Sequence, residues 1–134
     1  VVSGQTVAAK RRRFTAPVLD AIRDCQVLGI RAGRGPHRII GIWAVVVDGR
    51  VFARSWGVKP GGWYRAFVRE PRGIVQVAGR EIRVRAVRTR SERLKDAISR
   101  AYREKYHTPG ALKYVRDLSR PTCRDTTTEF VPAR

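Results

Sequence analysis

Two glycine-containing segments hold the residues of this sequence with the clearest chemical potential. The first, residues 33–38, reads GRGPHR and places Arg34, His37 and Arg38 beside two glycines. Guanidinium groups donate paired hydrogen bonds to phosphate or carboxylate oxygens, and glycine lets backbone N–H groups approach the same anion. The segment therefore predicts a site for an anionic group. The alternative, a solvated turn that contains arginines without binding anything, stays open from this segment alone.

The second segment surrounds the sequence KPGG and combines aromatic rings with cations. Its members are Arg54, Trp56, Lys59, Trp63, Tyr64 and Arg65. Planar rings beside cations favour a planar, anionic ligand. The alternative for Trp63 is a core residue that fills one end of the fold. The cluster as a whole indicates a ligand wall more strongly than any single member.

Several common enzyme signatures are absent from the sequence. It contains no Gly-x-Gly-x-x-Gly after a strand, no P-loop and no Gly-x-Ser-x-Gly elbow. His37 and His107 are the only histidines, and Cys25 and Cys123 stand nearly a chain length apart. This spacing predicts no protein-held metal, and it favours reduced thiols in a cytoplasmic protein. No residue is assigned as a catalyst.

The net charge of +18 on 134 residues is the strongest compositional signal. Such a charge attracts anionic partners of several classes, including nucleotides, anionic cofactors and nucleic acids. The length is that of one domain, predicted at residues 14–134, and residues 1–13 are predicted to form a flexible basic arm. No apolar run approaches the about 20 residues that a membrane-spanning helix needs, so no membrane partner is expected.

A hairpin is the central predicted element. Residues 38–47 are an apolar run, residues 50–56 form its partner, and Asp48-Gly49 is a typical two-residue hairpin turn. Four further strands are predicted at 26–31, 73–78, 80–89 and 126–131. Because these strands do not alternate with helices, the pattern predicts a mainly β (α+β) fold, a six-stranded antiparallel barrel with peripheral helices.

Four helices are predicted around this barrel. They cover residues 15–25, 63–70, 89–106 and 111–119. The third is expected to begin at a capping box, in which the hydroxyl of Thr89 and the carboxylate of Glu92 each accept a hydrogen bond from a free backbone N–H group. Pro121 is expected to end the fourth helix.

The order of these motifs resembles the split β-barrel flavin and deazaflavin proteins, the pyridoxamine-phosphate-oxidase-like superfamily. The resemblance covers about residues 20–134 and is carried by GRGPHR, IIGIWAVVVDGR, VFARSW, GGWYRAFVREPR and IVQVAG. The sequence is most similar to a short, largely uncharacterised bacterial family beside the deazaflavin-dependent nitroreductases. This resemblance implies a split barrel with a cofactor lying across it, and a homodimer that builds its sites at the subunit boundary.

The resemblance also implies roles for particular residues. In the deazaflavin relatives the turn before the second strand reads Gly-Arg-x-Ser-Gly-x-Pro-Arg and grips the phosphate side of the cofactor, which Arg34 and Arg38 match in part. Ser55 and Lys59 fall where the relatives place loop donors, and Trp63 with Tyr64 matches their Trp-Tyr pair. The implied cofactor-binding set is Arg34, His37, Arg38, Ser55, Trp56, Lys59, Trp63, Tyr64 and Arg65.

Three departures from the relatives keep a second function open. The serine of the phosphate turn is missing, Gly41 replaces a proline, and Ala66 replaces an asparagine. The leading expectation is a small oxidoreductase that binds a deazaflavin coenzyme or FMN. The alternative is a cofactor-free barrel that binds an anionic or aromatic small molecule, as a carrier or a cofactor-independent enzyme. A third reading is a basic nucleic-acid-binding module, motivated by the charge and by the arginines at 80, 83, 85, 88 and 90.

Overall fold

The computed structural model describes residues 12–34 and 38–133. Its strands are β1 (Leu28–Ala32), β2 (Ile40–Ile42), β3 (Ala44–Val47), β4 (Arg50–Ala53), β5 (Arg72–Val77), β6 (Arg80–Arg88) and β7 (Thr128–Pro132). Its helices are α1 (Ala16–Asp24), α2 (Trp63–Arg69), α3 (Glu92–Lys105), α4 (Pro109–Leu118) and α5 (Pro121–Arg124). The strands form one sheet in the order β2-β1-β5-β6-β7-β4-β3, with every neighbouring pair antiparallel.

The sheet closes into a barrel because one chain segment supplies both of its edges. Strands β2 and β3 lie at opposite ends of the strand order, yet only Trp43 separates them in sequence. The predicted antiparallel barrel is therefore confirmed. The described part has seven strands instead of six because the segment expected as one strand is divided at Trp43.

Helix α3 stabilises the break at Trp43. The Tyr102 hydroxyl donates to the Trp43 carbonyl at 2.7 Å and accepts the Arg54 backbone N–H at 3.0 Å. Burial raises the pKa of Tyr102, which keeps this hydroxyl protonated and able to donate. One turn later, the Tyr106 ring stacks on Trp43 with centroids 4.2 Å apart. The interrupted strand is thus held in place by side chains instead of by further ladder bonds.

The hairpin turn predicted at Asp48-Gly49 is confirmed, and a second turn of the same kind joins β5 to β6. Asp48 and Gly49 have φ of 55° and 70°, and Ala78 and Gly79 have φ of 51° and 74°. Two successive left-handed residues define the type I′ turn, whose twist matches that of the flanking strands. The register follows directly, with Val47 opposite Arg50 and Val77 opposite Arg80.

Two apolar clusters form the core. The first fills the barrel, where Val18 and Ile22 of α1 and Phe67 of α2 join Phe130 and the inward residues of β1, β5 and β6. The second lies between the outside of β3 and β4 and the helices α3 and α4, and includes Phe52 and Ile98. Helices α1 and α2 therefore contribute apolar side chains to the barrel interior, whereas α3 and α4 pack against its outer wall.

Arg54 lies in the protein interior with 2% of its surface exposed. Its guanidinium donates four hydrogen bonds of 2.8–3.1 Å, all to neutral acceptors: Ser99 Oγ, Thr127 Oγ1 and the carbonyls of Lys95 and Leu118. Burial lowers the pKa of Arg54 to about 10. The sequence had suggested that Arg54 joins a ligand wall. The structure corrects this, because Arg54 instead connects the end of β4 to α3, α4 and the segment before β7.

The capping box predicted for α3 is wrong. The helix begins at Glu92, and the Ser91 hydroxyl accepts the Leu94 N–H at 3.2 Å. Thr89 is buried, and its hydroxyl has no hydrogen-bond partner within the described residues. Helix α4 ends at Leu118, before Pro121, and Pro121 itself occupies the first turn of the short helix α5. The fixed φ of proline suits a first turn as well as a stop, so the sequence did not distinguish the two.

Residues 1–11, 35–37 and 134 lie outside the described residues, and with them most of the predicted basic arm and all of His37. The guanidinium of Arg13 donates to the Asp48 carbonyl at 2.7 Å. Among the helices that the structure describes, none has the length and apolarity that crossing a membrane requires.

We expect the substitution Arg54→Met to lower the free energy of unfolding by about 3 kcal/mol, because it leaves buried acceptors from several elements without donors. Urea unfolding measures the change. Arg80→Gln is the control, since Arg80 is exposed, and it should stay within about 0.5 kcal/mol of the parent. A loss below about 0.5 kcal/mol for Arg54→Met would show that the interior network contributes nothing net.

Candidate functional site

Five arginines line a concave surface on the outer face of β1, β5 and β6. The cavity has a volume of about 1090 Å³. We call it the arginine cleft, defined by Arg31, Arg34, Arg72, Arg83 and Arg85. Glu70 and Glu81 also line it, so cations outnumber carboxylates. The cleft is therefore a strongly positive surface on an otherwise regular sheet.

The strand register creates this concentration of charge. Ile74 of β5 lies opposite Arg31 of β1 on one side and opposite Arg83 of β6 on the other. In the next row on the same face, Arg72 and Arg85 are direct cross-strand partners. Since strands lie about 4.8 Å apart, Arg31 and Arg83 begin about 10 Å from each other across Ile74. Like charges placed directly opposite each other destabilise a sheet.

Ile74 forms the apolar floor of the arginine cleft. It is 8% exposed but belongs to neither core cluster, because it points away from the barrel interior. The aliphatic stems of neighbouring arginines can cover such a floor while their guanidinium groups stay at the surface. The cleft thus offers a small apolar base surrounded by cations.

The cleft arginines lack partners among the described residues. None of the five side chains hydrogen-bonds to, or forms an ion pair with, another described residue. The Nε atom of Arg31 is buried and has no acceptor within this part of the chain. A buried donor without an acceptor costs free energy, typically about 1–3 kcal/mol. An anion in the cleft would offset the repulsion between the arginines.

The turn that follows β1 forms one border of the arginine cleft. The Gly33 N–H donates to the Arg72 carbonyl at 2.7 Å, so this turn extends the row that contains Arg72 and Arg85. Gly33 has a φ of 70°, and a Cβ there would lie 3.5 Å from Glu70 Cγ. Arg34 is exposed and lines the cleft. Gly33 and Arg34 of the predicted anion-binding turn therefore border the cleft arginines, which have no partners among the described residues.

A second cavity lies on the other side of α2 and has a volume of about 660 Å³. It separates α2 from the segment that joins α5 to β7. Tyr64 and Arg65 line it, together with Phe67 and Arg88. We call it the Tyr64 hollow. No residue lines both this hollow and the arginine cleft.

The remaining predicted site residues are dispersed. Ser55 is buried, and its hydroxyl donates to the Gly57 carbonyl at 2.6 Å. Trp56 is 45% exposed and packs edge-to-face against Trp43, with centroids 5.5 Å apart. Trp63 packs against the barrel core and contacts Phe130, which agrees with its alternative as a core residue.

Two predicted cations line neither cavity. Arg38 and Lys59 are exposed, and neither belongs to the arginine cleft or the Tyr64 hollow. The Lys59 carbonyl accepts the Gly62 N–H at 2.9 Å, which closes the KPGG turn before α2. His37 lies outside the described residues.

Helix α2 separates the two predicted segments. The KPGG turn precedes its first residue, while Gly33 lies beside Glu70 and Arg72 just after its last. A helix of seven residues is about 10 Å long, so the two turns flank one short element without sharing one cavity.

The arginine cleft fits the phosphate of a flavin-class cofactor better than its ring. Its five guanidinium groups are suitable donors for a phosphate. No aromatic residue of the described chain lines the cleft, so the expected stack of rings is not provided there. Among the described residues there is also no group of three or more His, Cys, Asp or Glu side chains placed to hold a metal.

Sequence reasoning missed Arg31 and Arg72 as site residues. The alternation of Arg83 and Arg85 with Ile82 and Val84 did reveal a basic outer face on β6. Arg31 and Arg72, however, join them only through the pairing of β1 and β5, which local patterns do not specify. The only available signal in the sequence was the presence of arginines at outward-facing positions of several predicted strands.

Comparison with known proteins identifies a family. The model of a family described as uncharacterized proteins conserved in bacteria (DUF2255) matches residues 17–130. The chain belongs to this family. No curated protein sequence matches it.

Solved structures confirm the split-barrel fold. A Listeria innocua protein provisionally named a pyridoxamine 5′-phosphate oxidase is 16% identical, with a TM-score of 0.61 over 88% of this chain and 92% of that one. A conserved hypothetical protein from Mycobacterium tuberculosis is 14% identical, with a TM-score of 0.54 over 92% and 81%. A NimC/NimA family protein from Clostridium acetobutylicum is 14% identical, with a TM-score of 0.51 over 87% and 76%. At these identities the similarity shows the fold alone.

We expect pyrophosphate to raise the midpoint of thermal unfolding, because an anion that binds the folded cleft stabilises it by mass action. The double variant Arg83→Gln/Arg85→Gln should lose most of this rise. The control Arg80→Gln/Arg90→Gln removes the same charge from exposed positions outside the cleft and should keep it. Equal losses in both variants would show that net charge, and not the cleft, binds the anion.

Proposed function

We propose that this chain binds a phosphate-bearing ring cofactor of the flavin or deazaflavin class and acts as a small oxidoreductase. The observation that carries the proposal is the group of five arginines that line one cleft without partners among the described residues. Like charges on neighbouring strands repel, and a bound anion relieves that repulsion. The split-barrel fold and the position of Gly33 and Arg34 at the border of the cleft support the same ligand class.

In this proposal the chain binds and orients the cofactor. Arg31, Arg72, Arg83 and Arg85 hold the phosphate from two neighbouring rows of the sheet, and Arg34 closes one side. Arginine suits this role because its planar fork donates two parallel hydrogen bonds to phosphate oxygens. The cofactor supplies hydride transfer when bound, and no side chain of this protein is assigned as the catalyst.

A homodimer belongs to the same proposal. The described residues of one chain provide no aromatic wall in the arginine cleft, so a cofactor ring needs a second surface. The split-barrel proteins that the sequence resembles build their sites at a subunit boundary, which would supply that surface. Light scattering after size-exclusion chromatography measures the mass of the particle directly.

We expect purified protein to bind FMN or a deazaflavin coenzyme, and we expect riboflavin, which has the ring without the phosphate, to bind at least about tenfold more weakly. Arg83→Gln/Arg85→Gln should weaken the binding of the phosphorylated cofactor by about a hundredfold, and Arg80→Gln/Arg90→Gln should change it little. Quenching of cofactor fluorescence measures all of these affinities.

The result that would overturn the cofactor proposal is equally specific. If neither FMN nor the deazaflavin coenzyme binds more tightly than pyrophosphate, the ring contributes nothing and the chain is no flavin-class protein. The second candidate function would then apply: a cofactor-free barrel that binds a different anionic small molecule. The absence of aromatic lining residues among the described part of the cleft favours this candidate.

Nucleic acid is the third candidate ligand, because an exposed arginine surface also attracts phosphodiester chains. Of the arginines that motivated this reading, Arg83 and Arg85 line the cleft and Arg88 lines the Tyr64 hollow. If a single-stranded oligonucleotide binds at low salt, and displaces FMN with a steep salt dependence, the cleft is a nucleic-acid surface instead.

A further inference from the structure

The Tyr64 hollow is a second cavity that the proposed function does not use. One wall is α2, which contributes Tyr64 and Val68. The other wall is formed by α5, which contributes Thr122, and by Asp125 directly after it. Its volume of about 660 Å³ lies within the range of about 300–1,000 Å³ that is typical of small-molecule sites. The hollow is therefore large enough for a compact organic molecule.

The hollow and the arginine cleft lie on opposite faces of β6. Ala86 and Arg88 line the hollow, whereas Arg83 and Arg85 line the cleft. Successive residues of a strand point to opposite faces, so this alternation separates the two cavities by the thickness of the sheet. A ligand in one cavity does not touch the residues of the other.

Several residues that line the hollow are apolar. They include Phe67, which is 3% exposed, and Val58 and Val68, which are 40% and 58% exposed. Apolar surface that remains in contact with water gains about 25 cal/mol for each Å² that a ligand covers. These residues therefore favour the hydrocarbon body of a ligand.

The hollow is also lined by two arginines, Arg65 and Arg88, whose N–H groups are only partly used in hydrogen bonds to described residues. Arg88 has no hydrogen bond or ion pair with a described residue. Arg65 donates through Nε to the Val58 carbonyl at 3.2 Å, and its two terminal amino groups have no acceptor among the described residues. These donors suit a carboxylate, because a guanidinium can bind both carboxylate oxygens at once.

Asp125 limits the charge that the hollow accepts. Its side chain also lines the cavity and forms no ion pair with a described residue. With two arginines and one carboxylate among its lining residues, the hollow has an excess of one positive charge. Because like charges repel in a partly desolvated site, a dianion such as phosphate is disfavoured relative to a single carboxylate.

We infer that the Tyr64 hollow is a separate binding site for a singly charged organic anion with an apolar body. Arg65 and Arg88 bind its carboxylate, Phe67 and Ala86 contact its body, and Asp125 excludes more highly charged ligands. This inference does not rest on the cofactor proposal, since the two cavities share no lining residue.

The test uses 2-naphthoate as the probe, 2-naphthamide as its neutral analogue of the same shape, and inorganic phosphate as the dianion. We expect naphthoate to bind at least about tenfold more tightly than naphthamide in isothermal titration calorimetry, and phosphate to leave the amide signals of Val68 and Ala86 unchanged. In ¹H–¹⁵N spectra, naphthoate should shift the amide signals of Val68, Ala86 and Asp125.

Two variants examine the assigned roles. Arg88→Gln should weaken naphthoate binding about tenfold and leave naphthamide unchanged, and Arg90→Gln, at an exposed position outside the hollow, should have no effect. Asp125→Asn should tighten naphthoate binding by a few-fold, because it removes the opposing charge.

Several outcomes would overturn the inference. One is equal affinity of naphthoate and naphthamide; another is naphthoate binding that Arg88→Gln leaves unchanged. A third is a set of shifted signals confined to the arginine cleft. Arg83→Gln/Arg85→Gln separates this test from that of the proposed function, since it should weaken cofactor binding about a hundredfold and leave naphthoate binding intact.

Discussion

A guanidinium held inside the protein by neutral acceptors is the interaction on which the rest of the structure depends. Removing such a charge from water costs several kcal/mol, and the cost is offset only if each donor finds an acceptor at good geometry. The acceptors of Arg54 come from α3, the end of α4 and the segment before β7, while Arg54 itself follows β4. Few arrangements of these elements satisfy all of the donors, so the network limits how the helices pack against the barrel.

The same helix that receives Arg54 also fixes the point where the barrel closes. Tyr102 hydrogen-bonds to both the backbone of Arg54 and the carbonyl of Trp43. The ammonium of Lys105 donates to the Ile22 and Ala44 carbonyls, and burial lowers the pKa of Lys105. These polar side chains replace the ladder bonds lost at the break between β2 and β3. The direct pairing of β1 with β5 and of β5 with β6 brings Arg31, Arg72 and Arg83 to one face of this sheet.

Arginine therefore performs two opposite physical roles in this chain. Arg54 is buried, and each nitrogen of its guanidinium donates at least one hydrogen bond, so it contributes to the fold. The five arginines of the cleft, in contrast, lack partners among the described residues. A high net charge does not separate these roles, because both kinds of residue contribute equally to it. The group in the cleft is the more informative one for function, since its mutual repulsion makes it a suitable site for an anion.

The sequence by itself determined the hairpins, most helices and the barrel class, because turns such as Asp48-Gly49 and apolar periodicity act over a few residues. It also indicated Arg34 and the basic face of β6. Tertiary structure alone decided that Arg54 is interior, that Trp63 joins the core, and that Tyr64 and Arg34 face different cavities. The physical reason is that strand pairing and helix packing join residues far apart in the chain, and local patterns hold no information about which distant partner each residue meets.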